Sequence, residues 1–509
     1  MLPTVNWTAF VIFLLLFLIV TGIGFWAARW KRADLNLLDE WGLAGRRFGT
    51  VITWFLLGGD LYTAYTFIAV PALVFGAGAT GFYAMPYTIV AYPFVFLAMP
   101  RLWSVAKKHG YVTAADFVKG RYGSSTLALM IALTGILATM PYIALQLAGM
   151  QAVLGAMGLV GEWPLIIAFV VLAVYTYTSG LRAPAAIAVV KDLLIYITVI
   201  AAVIVIPAKL GGWGHIFHTA AAVLPTRTPT PGALILPPKA YTAFSTLALG
   251  SAFALFLYPH SITGVLSSGS RTVIKRNAAL LPAYSFVLGL IALLGYMAIA
   301  AGIHPTTPTM AVPLLFLKEF PSWFAGVAFA AIAIGALVPA AIMAIAASNL
   351  FTRNVYRQYI NPTCTDKQES RMAKLVSLVV KLGALIFIVF LPNTFIINFQ
   401  LLGGVWILQT LPAVVFGLYT RWFSSTALFW GWLAGMGVGT YMAIAQSFKS
   451  SIFPVDLFGV TIPAYAAVWA LLVNLIVTVV LNMIFKAASM KEGTDLTAPR
   501  DYVSHGESA

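Results

Sequence analysis

The chain is poor in cysteine and in charged residues, and each shortage excludes a class of protein. Its single cysteine, Cys364, excludes a disulfide framework and any metal site built from several cysteines. Charged residues make up 9% of the 509 residues, whereas hydrophobic residues make up 61%. A soluble domain of this size does not have that composition, so the sequence predicts an all-α polytopic membrane protein. The apolar runs are too long and continuous for the alternating strands of a β-barrel.

Acidic residues are also scarce, and the positions of the basic residues predict the topology. Fifteen Asp and Glu stand against thirty Lys and Arg, which gives a net charge of +15. We predict thirteen apolar spans: 23 basic residues fall on one side of them and five on the other, while Lys191 and Lys381 lie inside spans. The positive-inside rule then predicts an external N-terminus and a cytoplasmic C-terminus. Contact with anionic lipid headgroups accounts for the charge, so no nucleic-acid partner is expected. The predicted spans are residues 5–28, 48–76, 81–99, 124–157, 162–180, 185–207, 240–262, 277–302, 322–351, 373–391, 395–419, 424–445 and 461–486.

An aspartate, Asp60, lies in the middle of the apolar span 48–76. At about 1.5 Å per residue it is ~20 Å along the helix from Arg47, near the middle of the bilayer. A carboxylate at that depth is costly unless a cation or a hydrogen-bond donor meets it. Gly58 and Gly59 precede it, and glycine lets a helix unwind at little cost. We therefore predict a broken helix at Gly59, with Asp60 at the break as a coupling residue; the alternative is a structural acid that caps the second half of the helix.

A second span, 240–262, is interrupted by Pro259. Broken helices at corresponding places in two halves are typical of an inverted-repeat transporter, which binds its ion and substrate between them. The spacing predicts a single transmembrane domain with a first repeat at 48–207 and a second at 240–419. One extra helix (5–28) precedes the repeats, and two extra helices (424–486) and a cytoplasmic tail (487–509) follow them. The external connection 208–239 is predicted to have no fold of its own, and the end of the tail to be disordered.

Several local strings resemble the sodium:solute symporter family, over residues 10 to 487. They are FVKGRYGS at 117–124, SGLRA at 179–183, YPH at 258–260 and LPAVVFGLYTR at 411–421. Within the family the chain most resembles the bacterial monocarboxylate permeases, which take up lactate, pyruvate and related acids. That likeness lies in DEWGLAG at 39–45, GGDLYTAY at 58–65 and ATMPYIALQ at 138–146. The resemblance implies a five-plus-five inverted repeat of the leucine-transporter type, with Asp60 on the acidic position of the first broken helix.

The resemblance also implies a sodium site, which this sequence does not complete. The family's site takes backbone carbonyls at Gly58 and Leu61, a third carbonyl at Gly335, and two hydroxyl side chains. The hydroxyl positions fall on Val338 and Pro339, which have no side-chain oxygen. Pro339 is predicted to break its helix and to free the Gly335 carbonyl. Three carbonyls remain where the family has five oxygens, so we predict no complete sodium site and no other metal site.

Lys191 is the second departure from the family pattern. The family's frequent aspartate in this span falls on Ala188, and Lys191 stands three residues further on. Its ammonium could replace the missing cation, carry a proton, pair with Asp60, or attract a substrate carboxylate. A salt bridge to Asp192, or a side chain that reaches the membrane surface, is the alternative without function. The other intramembrane lysine, Lys381, is predicted to reach the surface in that way.

The predicted substrate site lies between the broken helices. Tyr142 and Gln146 are one turn apart beside Pro141, so they share a helix face that we expect to line the site. His260 follows Pro259 directly, where it either contacts the substrate or a moving proton or is a satisfied polar residue at the break. The complete set of predicted substrate-binding residues is Tyr62, Thr63, Tyr142, Gln146, Tyr258 and His260.

These observations predict a secondary active importer of small monocarboxylates in the bacterial inner membrane. Lactate and pyruvate are the expected substrates, and acetate, propionate and alanine extend the class. Proton coupling, or weak cation dependence, is favoured over sodium coupling. The alternatives are a sodium-coupled symporter of proline or pantothenate and a passive channel. No enzyme motif is present, and neither a cofactor nor an obligatory protein partner is expected; the partners are the substrate, the coupling cation and the bilayer.

Overall fold

A computed structural model describes residues 4–29, 34–159, 161, 163–227, 231–390, 396–490 and 492–503. Within these ranges nine helices are long and apolar enough to cross a membrane, or ten if one bent pair is a single span. The all-α polytopic fold is therefore confirmed, but the count of thirteen spans is not. One reason is that span 48–76 consists of two short apolar helices, Thr50–Gly59 and Tyr65–Ala77. Neither reaches the ~20 residues that cross a bilayer alone.

The chain folds into 22 α-helices and one antiparallel hairpin within the described ranges. The strands β1 (Ile452–Leu457) and β2 (Val460–Tyr465) pair between the last two helices. The helices are α1 (Trp7–Trp26), α2 (Leu38–Leu43), α3 (Thr50–Gly59), α4 (Val70–Ala77), α5 (Ala84–His109), α6 (Ala114–Tyr122), α7 (Ser125–Ala156), α8 (Trp163–Ser179), α9 (Arg182–Lys209), α10 (Trp213–Val223), α11 (Tyr241–Leu255), α12 (Pro259–Leu266), α13 (Arg271–Leu280), α14 (Pro282–Ala292), α15 (Leu294–Ala300), α16 (Ala311–Glu319), α17 (Ser322–Phe351), α18 (Asp366–Phe390), α19 (Ile397–Ile407), α20 (Leu411–Val414), α21 (Ser425–Ala445) and α22 (Ala466–Ala487).

Helix α17 is the core of the bundle. It carries no charged residue, is rich in alanine, and is buried almost throughout against α1, α7, α9 and α18. Small side chains let helices approach closely in a membrane, where the hydrophobic effect does not drive their association. The break predicted at Pro339 is wrong, because α17 continues through it to Phe351. The proline still removes one N–H, so the Gly335 carbonyl lacks its usual helical donor.

Two helices are broken, and their breaks meet in the centre. The first broken helix starts as α3, which ends at Gly59. The chain then resumes as a π-helical turn, Tyr65–Ala69, that leads into α4. The second break separates α11 from α12, which are bent by 47°. Pro259 occupies the first position of α12, where a missing N–H costs nothing because that group has no helical acceptor. Helix α12 packs against α3, so the two breaks adjoin.

The connection 208–239 has more structure than the sequence predicts. Residues 213–223 form α10, which buries Ile216 and Ala220. This helix packs on α15. A helix of eleven residues surrounded by threonine, proline and glycine is too short to stand out by composition, and its stability comes from that packing.

The tail predicted to be disordered is instead packed on α5 and α6 over residues 492–503. Asp495 forms an ion pair with Arg121 at 2.9 Å, and Leu496 N–H donates to the Gly120 carbonyl at 2.8 Å. Asp501 is buried and accepts hydrogen bonds from Lys108 and from His109. The tail therefore bridges parts of the chain that are far apart in sequence.

We expect Asp501→Asn to release this tail. Burial raises the pKa of Asp501, but hydrogen bonds from Lys108, the Ala498 N–H and His109 outweigh it and bring the pKa to about 2. Because this value lies below the ordinary one near 3.9, the contribution to stability is complete above about pH 4 and is lost as pH falls through about 2. The tail should thus stay packed from pH 5 to 8.

Losing a charged hydrogen bond costs about 1.5 kcal/mol, so amide exchange of 492–503 should rise roughly tenfold in the Asp501→Asn variant. Glu492→Gln, which changes an exposed acid of the same tail, is the control; equal exchange in the two variants would contradict the prediction.

Candidate substrate and coupling site

The acid of the first broken helix contacts the start of the second. Asp60 is 5% exposed, and its Oδ2 accepts a hydrogen bond from Ser261 Oγ at 3.1 Å. The same oxygen lies 3.4 Å from Nε2 of His260. Both partners belong to the first turn of α12. Asp60 therefore ties the two broken helices together, and its Oδ1 has no hydrogen-bond partner within the described ranges.

Three rings form a closed group beside this acid, which we call the aromatic triangle: Tyr142, Tyr258 and His260. The His260 ring centroid lies 5.4 Å from that of Tyr142 and 5.2 Å from that of Tyr258, and the two tyrosines are 5.3 Å apart. His260 is 1% exposed, and neither ring nitrogen has a hydrogen-bond partner among the described residues. Buried polar atoms without partners are rare, so this is where a polar ligand has atoms to bind.

Gln146 and Thr63 hold the break of the first helix. The side-chain oxygen of Gln146 accepts from the Ala64 N–H at 3.0 Å, and Thr63 Oγ1 accepts from the Tyr65 N–H at 3.0 Å. The side-chain nitrogen of Gln146 is buried and lacks an acceptor in the described part of the chain. Gln146 therefore supports the unwound segment with its oxygen and offers an unused donor with its nitrogen.

Tyr62 lies apart from the other predicted substrate residues. Its hydroxyl donates to the carbonyl of Tyr284 at 3.1 Å, and its ring packs on Tyr284 with centroids 4.5 Å apart. A third tyrosine, Tyr196, joins them at 5.9 Å from Tyr62. Of the six predicted substrate residues, the structure thus groups Tyr142, Tyr258 and His260 in one triangle and turns Tyr62 toward α14.

The side chain of Lys191 donates hydrogen bonds to backbone carbonyls at the break of the first helix. Its Nζ donates to the Gly59 carbonyl and, at 2.9 Å, to the Tyr62 carbonyl, and its side chain is fully buried. The sequence analysis expects the ion-binding carbonyls at Gly58 and Leu61, one residue before each of the two carbonyls that Lys191 contacts. The Gly58 carbonyl accepts from the Leu61 and Tyr62 amides, and the Leu61 carbonyl accepts from a threonine hydroxyl.

The two glycines before Asp60 have separate steric functions. A Cβ on Gly59 would lie 2.9 Å from Lys191 Nζ, and a Cβ on Gly58 would overlap the Tyr284 ring. Gly335 of α17 also faces this place, because a Cβ there would lie 3.6 Å from the Tyr62 carbonyl oxygen. The Lys191 nitrogen thus lies between the broken helix, α9 and α17, at carbonyl oxygens of the kind that bind a cation.

The structure adds Tyr284, which the sequence analysis missed, places Asp192 beside Lys191 as one of its alternatives had it, and moves one residue that it placed. Asp192 lies 3.4 Å from Lys191 Nζ through Oδ1, and Tyr284 donates to its Oδ2 at 2.7 Å. No motif marked Tyr284, which meets α9 only through the tertiary fold. Lys381, expected at the membrane surface, is instead fully buried on α18, with no acceptor for its Nζ in the described ranges. Those ranges also contain no group of three His, Cys, Asp or Glu that could hold a metal.

Two broken helices that meet at a buried acid, inside a bundle of membrane-length helices, define the fold of a secondary transporter. A Na⁺-coupled sialic acid symporter, solved in a substrate-bound outward-open state, shares this fold with a TM-score of 0.73 at 18% identity. The match covers 96% of this chain and 99% of the symporter.

The sequence comparisons agree with the fold. The model of the sodium:solute symporter family matches residues 41–435. A monocarboxylate transport permease protein of Rhizobium johnstonii is 55% identical over 488 residues, which cover 96% of this chain and 99% of that protein. An uncharacterized symporter of Bacillus subtilis is 35% identical over 484 residues, 94% of each chain. The chain belongs to the sodium:solute symporter family, whose members are multi-pass membrane proteins that carry small solutes with a coupling cation.

Proposed function

We propose that this protein imports small monocarboxylates by coupling each anion to a proton, and that lactate and pyruvate are its main substrates. The observation that supports proton over sodium coupling is the Lys191 ammonium on the Gly59 and Tyr62 carbonyls. A sodium ion at the break would compete with the Lys191 ammonium for these carbonyls, and Val338 and Pro339 of α17 offer it no side-chain oxygen.

The aromatic triangle and Gln146 suit a small carboxylate. Two tyrosines and an imidazole pack together here, and the unpaired nitrogen of Gln146 is a further donor nearby on α7. The Tyr258 hydroxyl already donates to the Gln400 carbonyl at 2.8 Å, so a compact anion would accept from the Gln146 nitrogen and from a ring N–H of His260. The ring faces can contact a short alkyl chain. The name of the Rhizobium johnstonii relative supports the same substrate class.

The membrane potential explains why an anion importer needs a cation. A potential of 100 mV, negative inside, opposes the entry of one anion by roughly 2.3 kcal/mol. One proton carried in the same step cancels this term, and the pH gradient then drives accumulation. Two pairs in the site contain groups that could take this proton, Lys191 with Asp192 and Asp60 with His260.

We further propose that the two broken helices open groups of five helices, 48–207 and 240–419, that rock around the site. The N-terminus lies outside, and the face that carries the packed tail is cytoplasmic. The excess of basic residues on that face supports this orientation.

Uptake of labelled lactate, pyruvate and proline into vesicles containing the purified protein tests the proposal. In sodium-free buffer, a pH gradient of one unit should drive about tenfold accumulation of lactate and pyruvate, insensitive to an imposed membrane potential. Protein-free vesicles are the control, because undissociated acids cross bilayers unaided. Uptake that requires sodium at every pH would overturn proton coupling, uptake of proline alone would overturn the substrate class, and solute that never exceeds the outside concentration would indicate a channel.

A further inference from the structure

The carboxylate nearest to Lys191 is Asp192. Asp192 Oδ1 lies 3.4 Å from Lys191 Nζ, whereas the close partners of Asp60 are Ser261 and His260 on α12. Both members of the Lys191–Asp192 pair are fully buried. The site therefore contains two separate titratable pairs, one on α9 and one between the broken helices.

The two oxygens of Asp192 have different surroundings. Oδ2 accepts the Tyr284 hydroxyl at 2.7 Å, whereas Oδ1 has no hydrogen-bond partner in the described ranges and faces the ammonium. Tyr284 is itself fixed, because its ring fills the space beside Gly58 and its carbonyl accepts from Tyr62. The oxygen that is left available is thus the one that points at the charged nitrogen.

Few other titratable groups face this pair. The broken helix contributes Asp60 and Tyr62, α14 contributes Tyr284, and α9 itself contributes Tyr196. Helices α17 and α1, which also pack on α9, contain no titratable side chain over Ser322–Phe351 and Trp7–Trp26. The other segments in contact with α9 carry Arg29, Tyr177 of α8 and Tyr296 of α15, and none of these forms an ion pair with Lys191 or Asp192 among the described residues. A proton that leaves Lys191 inside the closed protein therefore has Asp192 as its nearest acceptor.

We propose that Asp192 is the proton acceptor of Lys191 and that Tyr284 is the positioning residue that holds it, so that this pair is the coupling unit of the transporter. The inference rests on the proposed proton coupling. In the transfer, one N–H bond of the ammonium breaks and one O–H bond forms at Oδ1, which gives a neutral amine and a neutral acid. Water that enters when the site opens to the inside takes the proton from the acid and restores the carboxylate. When the site opens to the outside, the amine takes a proton from water there and becomes an ammonium again.

The transfer changes the strength of the hydrogen bonds that Lys191 donates to the broken helix. A charged donor makes hydrogen bonds roughly twice as strong as a neutral one. The ammonium therefore holds the Gly59 and Tyr62 carbonyls tightly, and the amine holds them weakly. In this way the protonation state of the Lys191–Asp192 pair sets how easily the first broken helix moves. This movement is the event that coupling must control.

Asp192→Asn and Tyr284→Phe test the proposal in vesicles with labelled pyruvate, by gradient-driven accumulation and by pyruvate exchange at equal pH. With a one-unit pH gradient, the wild type should accumulate pyruvate about tenfold. Asp192→Asn should not accumulate it, with an inside-to-outside ratio of about one. Pyruvate exchange by this variant should continue and should no longer respond to pH between 5.5 and 8.5. Tyr284→Phe, which keeps the ring, should lower accumulation without stopping exchange.

Tyr122→Phe removes a buried hydroxyl that donates to a carbonyl on α20, away from α9, and is the matched control. Wild-type accumulation in both variants, or an equal loss of exchange and accumulation at every pH, would overturn the proposal. If Asp192→Asn does not fold, Tyr284→Phe alone decides. A wild-type protein that fails to accumulate pyruvate would instead overturn the proposed function, so the two failures are distinguishable.

Discussion

Replacement of Lys191 by methionine is expected to reduce pyruvate uptake to the level of protein-free vesicles and to destabilise the protein by about 3–5 kcal/mol. Methionine approximates the length of the stem but removes the ammonium from the Gly59 and Tyr62 carbonyls. It also leaves Asp192 fully buried without its cation. Breaking a buried pair on one side is costly because the remaining charge has lost both water and partner.

Melting of the purified protein, alongside uptake, measures this effect against two controls. Lys381→Met changes the other fully buried lysine, whose Nζ has no acceptor in the described part of the chain, so its melting temperature should stay equal or rise. The double variant Lys191→Met/Asp192→Asn removes both charges and should recover most of the stability but none of the gradient-driven accumulation. A Lys191→Met protein that accumulates pyruvate like the wild type would refute the role of the ammonium.

The broken helices were predictable because local chemistry fixes them. The Gly58–Gly59 pair and Pro259 change the backbone energy at their own positions, whatever surrounds them. The same logic failed at Pro339, because α17 is buried on all sides and its packing outweighs one lost hydrogen bond. The effect of a proline on a helix thus depends on the tertiary packing around it, which a single sequence does not show.

The partners of Lys191 were not predictable for the same reason. Sequence spacing identified an unusual buried lysine but left open whether its partner is Asp60, Asp192 or the substrate. The choice depends on how α9 is rotated against α3 and α14, and this rotation is set by packing at positions such as Gly58, which accommodates the Tyr284 ring. The folded tail is a similar case, since Asp501 and Asp495 are stabilised by Lys108 and Arg121, almost four hundred residues away.

Asp60→Asn is expected to weaken pyruvate binding while leaving the accumulation ratio unchanged, the opposite of Asp192→Asn. Asparagine can still accept from Ser261 Oγ, so the contact between the broken helices persists. It removes the negative charge 3.4 Å from Nε2 of His260, so this ring of the proposed substrate site loses its charged neighbour. A nearby opposite charge is worth roughly one to two pKa units, or about 1.4–2.8 kcal/mol, so the KM for pyruvate should rise roughly ten- to hundredfold.

The KM for pyruvate and the final accumulation ratio, measured on the same vesicles, separate the roles of the two acids. Ser261→Ala removes only the hydroxyl that donates to Asp60. It should raise the KM far less, since it leaves the Asp60–His260 pair intact. Because the accumulation ratio is set by stoichiometry and not by affinity, Asp60→Asn should still reach about tenfold per pH unit, more slowly. Intact exchange with lost accumulation in Asp60→Asn would instead make Asp60 the coupling acid and reduce Asp192 to the counter-charge of Lys191.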